Sequence, residues 1–197
     1  MTEKQQERIK TKIKQIKAAL AADKKRWGGF YDDSRGLRYG PPKLYIQLGD
    51  FSGGIRYMNW FKKNFPDDIG FPDFLFEWTI ILFKTGKLNE AEKKAFEAFS
   101  SNTYLFDKFF NKAIIPIDKW EGSNLEVAEF AQQVFNYSHL QDNLKDFSEW
   151  LSKVINSEKF IHYSNKLIDI NKQLKYERDV ETRRRLVNQA VQLKDGF

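Results

Sequence analysis

Three glycines, Gly49, Gly86 and Gly122, stand 37 and 36 residues apart, and the apolar residues between them recur at helical rather than strand spacing. Regular breaks combined with a 3.6-residue period confine such a chain to stacked antiparallel helical hairpins. One hairpin cannot bury both of its apolar faces, so neighbouring pairs must stack and terminal helices must close the stack. Leu44 to Leu48 predicts a short helix stopped by Gly49. Asp50 caps a second helix, bearing Ile55, Met58, Phe61 and Phe65 ahead of Pro66. Pro72 opens a helix through Phe74 to Lys84, where a first turn tolerates proline. Asn89 to Glu92 and Ser123 to Glu126 each have the spacing of a capping box, which predicts helices to about Phe99 and toward Tyr137. Periodicity at Leu144 to Val154, Phe160 to Leu174 and Val187 to Val191 carries helix to the end. Only Ile114 to Ile117 has strand-like composition, and Pro116 interrupts it. The expected fold class is all-α.

The 197 residues suit a single domain, with a basic helix over 1–26, a Gly- and aromatic-rich loop over 27–42, hairpins over 43–137 and closing helices over 138–197. Ile9, Ile13, Ile16 and Leu20 form one stripe of the first helix, with Lys10, Lys12, Lys14 and Lys17 off it. Packing of that stripe on its own domain is preferred to docking on lipid. Residues 1–38 hold eleven basic and five acidic side chains, which equals the whole net charge of +6. The basic run Arg183-Arg184-Arg185 sits near the other end. The start of the chain is charged rather than apolar, and the most apolar stretch, Phe74 to Phe83, is too short to span a bilayer, so a cytoplasmic protein is expected.

The loop Trp27 to Pro42 is too rich in Gly and Pro for a regular element. Two readings carry equal weight. Either Trp27, Phe30, Tyr31, Arg35, Arg38 and Tyr39 form a binding element, or the loop is a strap whose aromatics plug the core.

Around the three glycines the sequence resembles the tetratricopeptide-repeat (TPR) family. Gly86, Ala91, Ala95 and Ala98 fall where that family has its turn and its small residues at close helix approaches. Gly49, Phe51, Gly54 and Pro66 match in the first unit, whereas in the third only Gly122 and Val127 fit, and residues 112–120 interrupt the pattern. The resemblance covers roughly residues 39–137 and implies a compact TPR-like α-solenoid with terminal capping helices. It also implies a groove lined by the first helix of each pair: Tyr39, Lys43, Ile46 and Gln47 in the first unit, and Asp73, Phe76, Ile80, Phe83 and Lys84 in the second.

Little in the chain suggests chemistry. There is no cysteine, and neither Gly28-Gly29 nor Gly53-Gly54 has the context of a phosphate loop. His139 and His162 lack companions at ligand spacing and read as structural, and Asp67-Asp68 with Asp73 reads as a solvated turn. Glu77, set among apolar residues, needs a partner, and Arg56 on the preceding helix is the candidate for a structural ion pair. No catalytic residue, metal or cofactor is therefore expected. The leading expectation is a module that binds another protein on the helical groove extended by Trp27, Tyr31, Arg35 and Arg38. The alternative is nucleic-acid binding through the basic ends and the loop.

Overall fold

The computed structural model describes residues 1–197, and the chain is all-α with no strand. It divides into two compact units, residues 1–87 and 88–197.

The first unit begins with α1 (Glu3–Arg26), whose start is fixed by a capping box: Thr2 accepts from the Gln5 amide while the Gln5 side chain returns to the Thr2 N–H. Its Ile13 and Leu20 are buried, so the apolar stripe packs on its own unit, as expected. Then come α2 (Pro41–Leu48), α3 (Phe51–Asn64) and α4 (Pro72–Lys84). α2 touches all three of the other helices and is the hub.

Gly49 adopts φ 69°, where a side chain is disfavoured, and the Asp50 amide donates back to the Tyr45 carbonyl, closing α2. The Asp50 carboxylate then accepts from Gly53 at 2.8 Å, so one residue ends one helix and caps the next. Gly54 lets α3 and α4 approach: a Cβ there would stand 3.1 Å from the Ile81 side chain. The core they enclose includes Tyr57, Met58, Phe61, Phe74 and Ile81. α4 ends in the same way as α2, with Gly86 at φ 74° and the Lys87 amide donating to Leu82.

The second unit holds α5 (Leu88–Ser101), α6 (Leu105–Phe109), α7 (Ala128–Gln133), α8 (Lys145–Ile155), α9 (Glu158–Tyr176) and α10 (Val180–Asp195). α9 is the hub and packs on α5, α8 and α10. Phe96, Phe99, Phe160 and Phe197 form its aromatic centre, with Phe197 stacked on Phe96 at 4.3 Å. Ala91, Ala95 and Ala98 are completely buried.

Two helix starts differ from their expected form. α5 begins at Leu88, so Asn89 lies inside its first turn, because the motif that closes α4 hands the chain directly to α5. Ser123 to Glu126 forms no helix start either, and the expected long helix shrinks to α7. The buried Asn102 amide donates to the Leu125 and Val127 carbonyls at 2.7 and 3.0 Å, and this holds the backbone out of helix. Residues 110–127 are consequently irregular.

Candidate functional site

The loop after α1 is a strap built around a buried carboxylate. Asp33, 6% exposed, adopts φ 30°, a region that Asp tolerates better than most residues. Its carboxylate accepts from the Leu37 and Arg38 amides at 2.8 and 3.0 Å, capping a single 3-10 turn over Leu37–Tyr39. It also pairs with Arg38 Nη1 at 3.0 Å. Asp23 of α1 accepts from the Asp32 and Asp33 amides, which ties the strap to the last turns of that helix.

Arg38 extends the lock to the α3–α4 connection. Its Nε donates to Asp68 Oδ2 at 2.6 Å and its Nη2 to the Tyr39 hydroxyl at 2.8 Å, while that hydroxyl donates onward to Asp68. The Tyr57 hydroxyl donates to the Arg38 carbonyl at 2.8 Å. Asp68 also accepts from the Gly70 amide at 2.8 Å.

These contacts fix the charge states. Burial opposes the Arg38 charge, but hydrogen bonds to Asp68 and Asp33 outweigh it and raise the pKa above the usual guanidinium range. Burial and the bond to Asp68 push the Tyr39 phenol up to about 12. Burial would raise Asp68, yet the hydrogen bonds from Tyr39 and Arg38 hold it below the ordinary carboxylate value. At neutral pH Arg38 is thus a cation, Asp68 a carboxylate and Tyr39 a neutral phenol within the lock.

A run of half-exposed rings lies over that lock. The Arg38 guanidinium stacks 4.4 Å above Tyr39 and 5.1 Å above Phe65. The Tyr31 ring lies 4.8 Å from Phe65, and Tyr39 lies 4.4 Å from the exposed Phe71. Between Asp68 and Gly70, both held by the same carboxylate, Ile69 is 86% exposed. Ile69 and Phe71 escape notice in the sequence because nothing in a Pro-Asp-Asp-Ile-Gly-Phe stretch distinguishes a presented side chain from a buried one. Asp68 belongs to the lock, so the expectation of a merely solvated turn is corrected there.

The other anticipated residues divide by burial. Tyr31, Arg38 and Tyr39 are engaged within the unit, which makes the loop a strap at those positions, whereas Trp27 and Arg35 are exposed. Lys43 and Gln47 face outward on α2, and Asp73, Phe83 and Lys84 are half-buried on α4. Burial raises the Asp73 pKa, opposed by backbone amides at the start of α4 and by the Lys43 charge. Ile46, Phe76 and Ile80 are buried, which corrects their expected place on an open groove, since a covered side chain meets no partner. Glu77 is 3% exposed, while Arg56 is exposed on α3 with its charge acting on the Tyr45 phenol. Arg38 takes part in a part-buried ion-pair network of this unit.

In the second unit Arg183 donates to the Leu174 and Glu177 carbonyls, which commits it internally. The His139 ring and amide both engage the Phe109 carbonyl, a structural role as expected. No group of His, Asp or Glu side chains is arranged to hold a metal ion, and no helix is long and apolar enough to cross a membrane. The chain finds no match among protein-family models, curated proteins or solved structures.

Proposed function

We propose that the chain is a protein-binding module whose docking surface is the Arg38–Tyr39 end of the strap together with the α3–α4 connection. The observation that carries this reading is Ile69, an almost wholly exposed aliphatic side chain at a position locked on both sides by Asp68. An apolar anchor on a fixed backbone binds without first losing conformational entropy, which is how a few residues come to dominate an interface. Around it lie Phe71, Tyr39, Phe65 and the stacked Arg38, the residue types most often found at such centres. Lys43 and Gln47, exposed on α2, and Asp73 on α4 extend the surface in polar character.

The hairpins are read as a divergent TPR-like repeat. In support, Gly49 and Gly86 both take left-handed conformations 37 residues apart, α2 packs on α3, and Ala91, Ala95 and Ala98 are fully buried. The partner is a peptide segment or helix of another protein, held on the rim of the repeat. The nucleic-acid alternative draws less support, since Arg38 and Arg183 are spent on internal bonds.

The untagged protein is to be purified from its native source in parent form, as Ile69→Asp, and as the control Ile115→Asp. Ile115 is also exposed, but in the other unit. The expected result is a stoichiometric partner that is lost with Ile69→Asp and kept with the control. A partner that survives Ile69→Asp, or no protein partner at all, overturns the proposal.

A further inference from the structure

We propose a second docking surface, at the end of the first unit where α1 and α3 terminate, and its occupant is an anionic phospholipid bilayer. This inference does not rest on the Ile69 surface.

Four cations converge there from two helices. Lys25 and Arg26 lie in the last turn of α1, and Lys62 and Lys63 in the last turn of α3; all four are exposed. Lys24 brings the two ends together, donating to the Asn64 side chain at 3.0 Å. Tyr31 fills the join, with the Lys24 ammonium 5.0 Å above its ring and Trp60 and Phe65 packed against it. Carboxylates close by include Asp23, occupied by two strap amides, Asp32, exposed and accepting from the Ser34 hydroxyl, and the exposed Asp67, three residues after Asn64.

Directly after Arg26 the chain projects an apolar tip. Trp27 is 51% exposed and Phe30 is 78% exposed, on either side of Gly28 and Gly29. Both glycines have positive φ, and an added Cβ would meet nothing within 4 Å, so the tip stands in open space. Phe30 has no polar atom with which to repay that exposure.

An apolar aromatic tip next to a cluster of lysine and arginine matches the boundary of a bilayer with an anionic surface. Aromatic rings enter at headgroup depth, and each cation near the surface strengthens binding by about fivefold. A single-stranded nucleic acid would need open ring faces for bases to stack on. Here the Arg26 guanidinium lies over the Trp27 ring at 5.8 Å and occupies one face of it, which leaves less of that ring for a base. Charge complementarity and the protruding tip together favour the lipid surface.

The full chain is to be co-sedimented with vesicles of phosphatidylcholine alone and with vesicles containing about one third phosphatidylserine, at low and physiological salt. Binding is expected to the anionic vesicles only, and to weaken with salt. Phe30→Ser is expected to weaken it by about tenfold, because affinity scales with the apolar area inserted. The double variant Lys62→Glu and Lys63→Glu is expected to weaken it by at least as much. Both variants change exposed residues, and unchanged thermal melting confirms that they are folded. Ile69→Asp is expected to leave vesicle binding intact. Three results would each overturn the proposal: equal binding to neutral vesicles, no vesicle binding, or parent-like binding by folded Phe30→Ser. A single-stranded oligonucleotide or poly-glutamate bound more tightly than the vesicles, and released by the same substitutions, would reassign the surface and overturn it too.

Discussion

The two units each contain one long irregular segment, and the two segments are held in different ways. In the strap, residues 27–40, most fastening bonds are local: Asp33 reaches amides four and five residues on, and Asp23 holds amides nine and ten residues on. One distant carboxylate, Asp68, completes the lock. Residues 110–127 have local bonds too, such as the Gly122 amide to Glu126, but are anchored to the rest of their unit from afar. Tyr104 accepts from the Ile117 amide, Asn102 donates to Leu125 and Val127, Asn171 accepts from the Trp120 amide, and Lys175 and Tyr176 reach Asp118. A locally fastened loop keeps its shape by its own sequence, whereas a remotely fastened one takes whatever shape the surrounding helices impose.

The sharpest way to break that contrast is Asp33→Ala. It strands two backbone amides and leaves the half-buried Arg38 charge short of one counter-ion, so a loss of about 3 to 5 kcal/mol is expected in denaturant unfolding. A loss under about 1 kcal/mol would mean that Asp68 and Asp23 hold the strap without Asp33. Asn102→Ala comes next, at about 2 kcal/mol, since a fully buried amide with three backbone partners is removed. Amide hydrogen exchange should then accelerate at Leu125 to Val127 and stay unchanged at Leu37 and Arg38. Exchange rising equally in both places would refute independent fastening. The smallest effect belongs to Lys175→Ala. Its bond to Asp118 is solvent-exposed on both sides, and the melting temperature should not move measurably. A clear drop would promote that surface pair to the rank of the buried anchors.

This difference in fastening also decides what could be read in advance. The Gly49 and Gly86 turns, the Asp50 cap, Pro72 at a helix start and the stripe of α1 are each written in a few adjacent residues, and each is found in place. The helix toward Tyr137 was not legible. Its capping signature at Ser123 to Glu126 loses to Asn102, more than twenty residues earlier in the chain, and Glu126 turns instead to accept from the Gly122 amide. The site shows the same division. Aromatics and arginines in the Trp27 to Tyr39 stretch mark it as important, but their inward or outward direction depends on Asp68 and Phe65, about 30 residues away.

By itself the sequence determined that this protein is helical, where α1, α3 and α4 start and stop, and that the region after α1 is irregular. Those properties arise from hydrogen bonds and steric preferences within a turn or two of chain. Only the tertiary structure decided that Arg38 and Tyr39 face the Asp33 and Asp68 carboxylates, that Ile46, Phe76 and Ile80 are covered, and that Ile69, Trp27 and Phe30 stand exposed. Burial is a property of what lies opposite, and no local pattern records which distant residue that will be.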